Sequence, residues 1–240
     1  MLPKPSRRGR PPTDRRRILD AIFYLIKCGN PWRYLPANFP PWKTVYHVFR
    51  QWTLNHLWAA LNDALRTLVR KDQGKRSQPT AAILDSQSVK SDGHGGSVGY
   101  DAAKQIKGRK RHLLVDTLGL VLGVAVTPAN TTERNGAQIV LGQVLGWFIW
   151  LRRLWVDGGY TGEAFAQWVK DLRPQLTVEV VKRSDALEGF KVLPRRWVVE
   201  RTFGWLMRYR RLVRDYENTE TSAAAWIFIA MIRLQLRRLA

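Results

Sequence analysis

The most constraining feature of this sequence is a carboxylate inside an apolar run. Residues 81–89 read Ala-Ala-Ile-Leu-Asp-Ser-Gln-Ser-Val, so Asp85 lies in a segment whose length and composition predict a buried β-strand. Removing an ionised carboxylate from water is costly unless the group is hydrogen-bonded, paired with a cation or bound to a metal. The fold must therefore bring a partner to Asp85.

Two other acids occupy comparable positions. Asp157 follows the apolar run 154–156, and Glu200 lies in a helical segment that begins near Pro194. Acids at the carboxyl ends of strands are where α/β sheets commonly hold ligands, and Mg²⁺ prefers oxygen ligands from a few carboxylates and waters. We therefore predict that Asp85, Asp157 and Glu200 converge on divalent metal ions.

Asp116 is the main alternative to Asp157, because it also ends an apolar strand. It precedes the turn Thr117-Leu118-Gly119 and a second apolar strand. Aspartate commonly begins a turn by accepting a hydrogen bond from the backbone two residues further on. We favour this turn role for Asp116.

The charge of the chain indicates its partner. Forty Lys and Arg against 19 Asp and Glu give a net charge of +21, which favours binding to a polyanion, most commonly nucleic acid. The single cysteine, Cys28, excludes an internal disulfide and a cysteine-based zinc site. No signal peptide follows Met1, and the apolar run 223–232 is too short to span a bilayer. We expect no membrane association and a cytoplasmic, nucleoid-associated protein.

Residues 1–69 are predicted to form a small all-α domain. Apolar residues at helical spacing indicate three helices, and the second carries Lys43, His47 and Arg50 on one face, as in a helix-turn-helix unit. Ahead of them, Arg8 and Arg10 lie in an extended basic segment that suits entry into a DNA minor groove. A solvated arm and a solvated helix face are the alternative interpretations.

Polar residues 70–80 predict a linker, and residues 81–240 a second domain. Its predicted order is strand, hairpin, helix, strand, helix, strand, which is a mixed α/β layout. A basic run leads into the hairpin, and we predict that its side chains lie along a phosphate backbone: Lys107, Arg109, Lys110 and Arg111.

Four separated segments resemble, in the expected order, the DDE transposases of bacterial insertion sequences. The segments are Ile-Leu-Asp-Ser-Gln-Ser-Val-Lys at 83–90, the stretch 107–119, Val-Asp-Gly-Gly-Tyr at 156–160, and Trp-Val-Val-Glu-Arg-Thr-Phe-Gly-Trp-Leu at 197–206. Within that group the chain is most similar to the insertion sequence five family. The similarity covers nearly the whole chain.

The resemblance implies a ribonuclease H-like mixed sheet flanked by helices, a small N-terminal helical domain, and an Asp-Asp-Glu triad. Asp85, Asp157 and Glu200 take the triad positions, separated by 72 and 43 residues, and would bind two Mg²⁺ ions, for which Mn²⁺ can substitute. The implied reaction is hydrolysis at the transposon ends, followed by attack of the freed 3′ hydroxyl on target DNA. Its partners would be both DNAs and further copies of the chain, as a homodimer or larger assembly.

The resemblance also has departures. Arg196, four residues before Glu200, matches a basic residue of the family motif, but the motif's tyrosine position is Leu193 and its later lysine position is Met207. We expect Arg196, Arg208 and Arg211 to contact DNA. The chain is expected to lack the first helix of the family's N-terminal domain. Two alternatives stay open: a metal-dependent nuclease that cuts without joining, and a DNA-binding regulator derived from an inactive transposase.

Overall fold

The structure is a computed structural model that describes residues 13–92, 96–181 and 196–240. Its larger helices are α1 (Arg15–Cys28), α2 (Trp42–Leu54), α3 (Leu57–Asp72), α4 (Glu133–Val144), α5 (Glu163–Leu172), α6 (Trp197–Leu206) and α8 (Glu220–Leu239), with a single turn, α7 (Arg210–Val213), between the last two. The strands are β1 (Ala81–Lys90), β2 (Gly99–Asp101), β3 (Ile106–Asp116), β4 (Val121–Pro128), β5 (Arg153–Val156) and β6 (Thr177–Val180).

The six strands form one mixed sheet. Its order is β2-β3-β1-β5-β6, and β4 also pairs with β3. The β1, β2, β3 and β4 pairings are antiparallel, whereas β1–β5 and β5–β6 are parallel and require crossover connections, which contain α4 and α5. Helices cover both faces. This is the mixed α/β class that the element order predicts, in the ribonuclease H-like arrangement that the resemblance implies.

Alternation along the strands divides the core between the two faces of the sheet. Ala82 and Leu84 of β1 point towards the cluster that includes α4 and α5, whereas Ile83 belongs to the cluster that includes α6 and α8. Trp155 of β5 also belongs to the second cluster. The next odd-numbered positions, Asp85 and Asp157, therefore face the side of the sheet on which α6 packs.

The N-terminal helices pack directly on this second cluster. Phe49 of α2 stacks on Trp226 of α8 with ring centroids 4.8 Å apart, and the Asn62 amide of α3 donates to the Val121 carbonyl at 2.9 Å. Helix α3 continues to Asp72, three residues into the segment predicted as a linker. Helices α1, α2 and α3 thus share a hydrophobic core with the C-terminal helix.

Asp116 has the turn role that the sequence favours. One of its carboxylate oxygens accepts hydrogen bonds from the backbone N–H groups of Leu118 and Leu120, each at 2.9 Å. The other accepts from the Arg70 guanidinium at 2.5 Å, and both side chains are buried. Asp116 thereby fixes the β3–β4 hairpin and connects it to α3. Across the described ranges, no helix combines the length and apolarity that crossing a membrane requires.

Candidate active site

The first two predicted acids lie side by side on neighbouring parallel strands. The β1–β5 register pairs Ala81 with Arg153 and Ile83 with Trp155. Continued by two residues, the same register sets Asp85 opposite Asp157, immediately after β5 ends at Val156. The Asp85 carboxylate accepts from the Ser86 N–H at 2.7 Å, and that of Asp157 accepts from the Gly159 N–H at 2.8 Å.

Helix α6 brings the third acid to the same side of the sheet. Its buried side chains Val198, Val199 and Phe203 hold it against the core, and the Thr202 hydroxyl donates to the Gly119 carbonyl at 2.9 Å. Glu200 lies in the first turn with its side chain 54% exposed, so its carboxylate remains open to solvent. This is the geometry expected of a group that meets a substrate rather than the core.

One guanidinium lies between the second and third acids. Nη2 of Arg196 is 3.9 Å from Oδ2 of Asp157 and 3.4 Å from Oε1 of Glu200. Those two carboxylate oxygens are therefore at most 7.3 Å apart, the sum of the two distances. The structure thus gathers Asp85, Asp157 and Glu200 into one region with Arg196 among them.

The pKa of Asp85 reflects its burial and the charges around it. Burial, with smaller contributions from the neighbouring carboxylates of Asp157 and Glu133, raises this pKa to about 7 against the opposing effect of the Ser86 N–H and Arg196. The Tyr160 hydroxyl faces the same acids, and its pKa is raised well above the usual value, mainly by burial. An ionised Asp85 would therefore gain from a nearby cation.

Glu133 is a fourth acid of the site, and the sequence interpretation missed it. It lies in the first turn of α4, where its Oε1 accepts from the Ser86 hydroxyl at 3.1 Å and is 3.8 Å from Lys104 Nζ. Its Oε2 would be 1.8 Å from a Cβ built on Gly159, which also would lie 3.1 Å from Asp157 Oδ1. A side chain at position 159 would displace this carboxylate from its place next to Asp157.

The donor set fits a hard divalent cation. Carboxylate and hydroxyl oxygens are the groups that Mg²⁺ and Mn²⁺ prefer, and Asp85 is a buried acid with neighbouring negative charge. Within residues 13–92, 96–181 and 196–240, no three acidic, histidine or cysteine side chains already form a metal-binding cluster. Arg196 instead supplies the positive charge between Asp157 and Glu200.

Five of the predicted DNA-contacting side chains belong to exposed residues. Val45 and Phe49 of α2 are buried, so the predicted basic face of this helix points towards solvent. The exposed residues of the predicted set are Lys43, His47, Arg50, Lys107 and Arg208. Arg196 is partly buried beside the acids. Arg8 and Arg10 lie outside the described residues.

The basic run in β3 does not form the solvent-facing surface expected of it. Arg109 and Arg111 are 0% and 1% exposed, and Lys110 is 7% exposed. Arg109 pairs with Asp215 at 3.3 Å, and Lys110 lies 3.4 Å from Asp101. Burial in a central strand with internal partners leaves these three side chains unable to lie along a phosphate backbone, and only Lys107 of the run is exposed.

Arg211 requires the same correction. Its guanidinium donates to Glu217 at 2.7 Å and lies over the rings of Trp32 and Trp226, at 5.4 and 4.6 Å from their centroids. Residue Arg211 is 6% exposed. It therefore connects the N-terminal helices to the C-terminal part of the fold and does not face a DNA surface.

Comparison with known proteins identifies the family. Residues 76–235 match the family model "Transposase DDE domain", and residues 1–62 match "Putative transposase of IS4/5 family". A Burkholderia cepacia relative, "Insertion element IS402 uncharacterized 16.2 kDa protein", is 33% identical over 103 residues, which are 40% of this chain and 68% of the relative. The chain belongs to the DDE-domain transposases of insertion sequences.

Proposed function

We propose that this transposase binds the terminal inverted repeats of its element, cleaves at their ends and joins the freed 3′ hydroxyl to target DNA. The observation that carries the proposal is the proximity of Asp85, within β1, to Asp157, directly after the parallel neighbour β5, with Glu200 connected to Asp157 through Arg196. Such a group of carboxylates at one end of a sheet supports phosphodiester chemistry better than a purely structural role, because the side chain of Glu200 is 54% exposed and that of Asp157 is 22% exposed.

Each acid has a distinct part in the proposal. Asp85, Asp157 and Glu200 would hold two Mg²⁺ ions, or Mn²⁺ in their place. When bound, such a pair activates the attacking oxygen and stabilises the departing one in an in-line displacement. Asp85 anchors the site from within the sheet, whereas Glu200 approaches from a helix. A helix can shift relative to the sheet more readily than a central strand, so Glu200 is the acid best suited to complete the site on DNA.

Arg196 would act on the substrate. Its guanidinium lies between two carboxylates, and a divalent cation held by the acids would supply the positive charge in its place. The side chain could then turn to a DNA phosphate, which guanidinium groups bind in a bidentate manner. Ser86 would orient Asp85, and Glu133 would orient both Ser86 and Asp157. The Tyr160 side chain lies near the same acids.

The DNA would be held mainly by the exposed basic residues. Lys43, His47 and Arg50 would contact it from α2, and Lys107 and Arg208 would contact it from β3 and from the segment after α6. Arg8 and Arg10 would add a minor-groove contact. Two ends must be cut and joined together, so we also propose a homodimer or larger assembly on DNA, in the cytoplasm and associated with the nucleoid. Binding should weaken steeply with salt, because many phosphate contacts release counterions.

Oligonucleotides that carry the ends of the element test the proposal. With Mg²⁺, the full chain should nick these ends and join them to a second duplex, and Asp85→Asn should do neither while binding the ends within about 1 kcal/mol of the wild-type free energy. Glu163→Gln, an exposed acid in the first turn of α5, is the matched control. Nicking without joining would select the nuclease alternative, and binding with neither would select the regulator.

A further inference from the structure

A groove lies between α2 and the segment that leads into α8, and none of the four acids of the candidate active site lines it. It has a volume of about 810 Å³, and its walls are rich in aromatic rings. The groove is defined here by Trp32, Tyr34, Tyr46, Tyr216, Arg33 and Arg50. We call it the aromatic groove. Its size is within the range of pockets that take a small organic ligand.

The rings of the groove divide into a fixed floor and free edges. Trp32 is held from below by Phe49 and Trp226, at centroid distances of 5.1 and 5.6 Å, and Tyr46 contacts it edge-on at 5.1 Å. Tyr34 and Tyr216 are 73% and 41% exposed. Large exposed aromatic residues cost hydrophobic free energy in a monomer, and clustered around a groove they indicate a binding surface.

The charge of the groove favours an anion. Arg33 and Arg50 are exposed on its rim, and Arg33 lies 5.8 Å from the Trp42 ring centroid. Among the described residues that line the groove, Glu217 is the one acid, and Arg211 pairs with it at 2.7 Å. The exposed charged residues among the described lining residues, Arg33 and Arg50, are therefore both positive.

Planar rings beside exposed guanidinium groups match one class of ligand in particular. Aromatic side chains stack on unpaired bases, and cations on the rim bind the phosphates between them. A base pair within a duplex has no exposed face to offer. We propose that the aromatic groove binds unpaired nucleotides of single-stranded DNA, as would be present where strands separate at a transposon end. The strand-end role rests on the proposed function, whereas the binding site itself does not.

Direct binding tests the inference without cleavage. The Asp85→Asn chain, with EDTA present, is titrated into labelled dT12, a same-length abasic strand and a same-length duplex, and anisotropy is recorded. Tyr34→Ala and Tyr216→Ala should each weaken dT12 binding about tenfold, and Tyr34→Phe should stay within about twofold because it keeps the stacking face. Trp147→Ala removes an aromatic residue, 78% exposed, outside the groove and should change nothing.

Two further readouts locate the site. Photo-crosslinking with 5-iodouracil in the dT strand should label Tyr34 or Tyr216, and the abasic strand should bind more weakly and be insensitive to Tyr34→Ala. Equal affinity for abasic and dT strands, or equal losses on duplex and single strand, would overturn the inference. So would a change of oligomeric state in Tyr34→Ala with unchanged dT12 affinity, which would assign the groove to a second copy of the chain. These binding results do not depend on catalysis, so they would stand even if the protein failed to cleave transposon ends.

Discussion

Asp85 and Asp157 lie opposite one another because the offset between β1 and β5 equals their separation in the sequence. Ala81 pairs with Arg153 and Ile83 with Trp155, an offset of 72 residues that also relates the two acids. Neighbouring strands are about 4.8 Å apart, so two carboxylates at matched positions on the same face are close neighbours. Their mutual repulsion, shown by the effect of Asp157 on the pKa of Asp85, is tolerable when a cation is nearby.

Metal binding should stabilise the folded protein through this pair. A ligand present at 100 times its Kd adds about 2.7 kcal/mol to the free energy of unfolding, which for a chain of this size raises Tm by roughly 5–10 °C. We expect Mg²⁺ or Mn²⁺ to raise Tm of the wild type, and Asp85→Asn and Asp157→Asn to lose most of that shift. Scanning calorimetry measures it, with Glu163→Gln as the control. Equal shifts in all four proteins would place the metal elsewhere.

Glu133 should matter for activity more than for folding. The change Glu133→Gln keeps an acceptor for the Ser86 hydroxyl and removes the negative charge next to Asp157. Groups that orient metal ligands typically contribute 10–100-fold to activity or metal affinity. We expect end cleavage to fall by that factor while Tm changes little, and the Mg²⁺ concentration for half-maximal cleavage to rise. Wild-type cleavage by this variant would leave Glu133 only the role of a first-turn acid that interacts favourably with the α4 dipole.

The sequence revealed Asp85 and concealed Glu133 for related physical reasons. An acid within an apolar strand conflicts with its surroundings, so Asp85 stands out. Glu133 follows Thr132, whose side chain caps α4, and an acid in the first turn of a helix is explained by the helix dipole alone. The basic run of β3 is the converse case, because its charges predict an exposed surface and most of them are buried. Arg109 can be buried because it pairs with Asp215, which lies more than 100 residues away in the chain. No local pattern contains that pairing.

Two glycines of α4 should respond oppositely to alanine. A Cβ at Gly136 would lie 2.0 Å from Cε1 of the buried His112 ring, whereas Gly142 has open space around it. Overpacking costs about 1–3 kcal/mol, and replacing an unstrained helical glycine contributes about 0.5–1 kcal/mol. We expect Gly136→Ala to lower the free energy of unfolding and Gly142→Ala to raise it, as measured by urea denaturation. A higher free energy of unfolding for Gly136→Ala would contradict this prediction and would show that α4 can shift away from His112 of β3 at little cost.

His112 should make stability depend on pH. Burial, with Lys110 and Lys104 nearby, lowers its pKa to about 4 from 6.5. The unfolded chain therefore binds an extra proton between these values, and stability that is complete above about pH 6.5 is lost as pH falls towards 4. The full difference is about 3 kcal/mol, at about 1.4 kcal/mol for each pKa unit. His112→Gln should be less stable at pH 7, because its fit against Thr127 is lost, and flatter over this window.

Substitutions of Arg109 and Lys107, two basic residues of β3, should distinguish a role in folding from a role in DNA binding. Arg109 is fully buried and pairs with Asp215, while its other N–H groups donate to the Glu217 and Asn218 carbonyls at 2.8 and 3.2 Å. Arg109→Met would strand a buried carboxylate, and losing one partner of a buried ion pair costs about 3–5 kcal/mol.

Lys107 is exposed, so Lys107→Met should leave Tm unchanged and weaken end binding. Loss of one phosphate contact should also reduce the salt slope of duplex binding by about one. Arg109→Met should show the reverse, with a large loss of stability and, at temperatures where it stays folded, an unchanged salt slope. Calorimetry and anisotropy at several salt concentrations distinguish the two. A reduced salt slope in folded Arg109→Met would mean that β3 opens on DNA and presents its buried cations, because the closed strand keeps that guanidinium on Asp215.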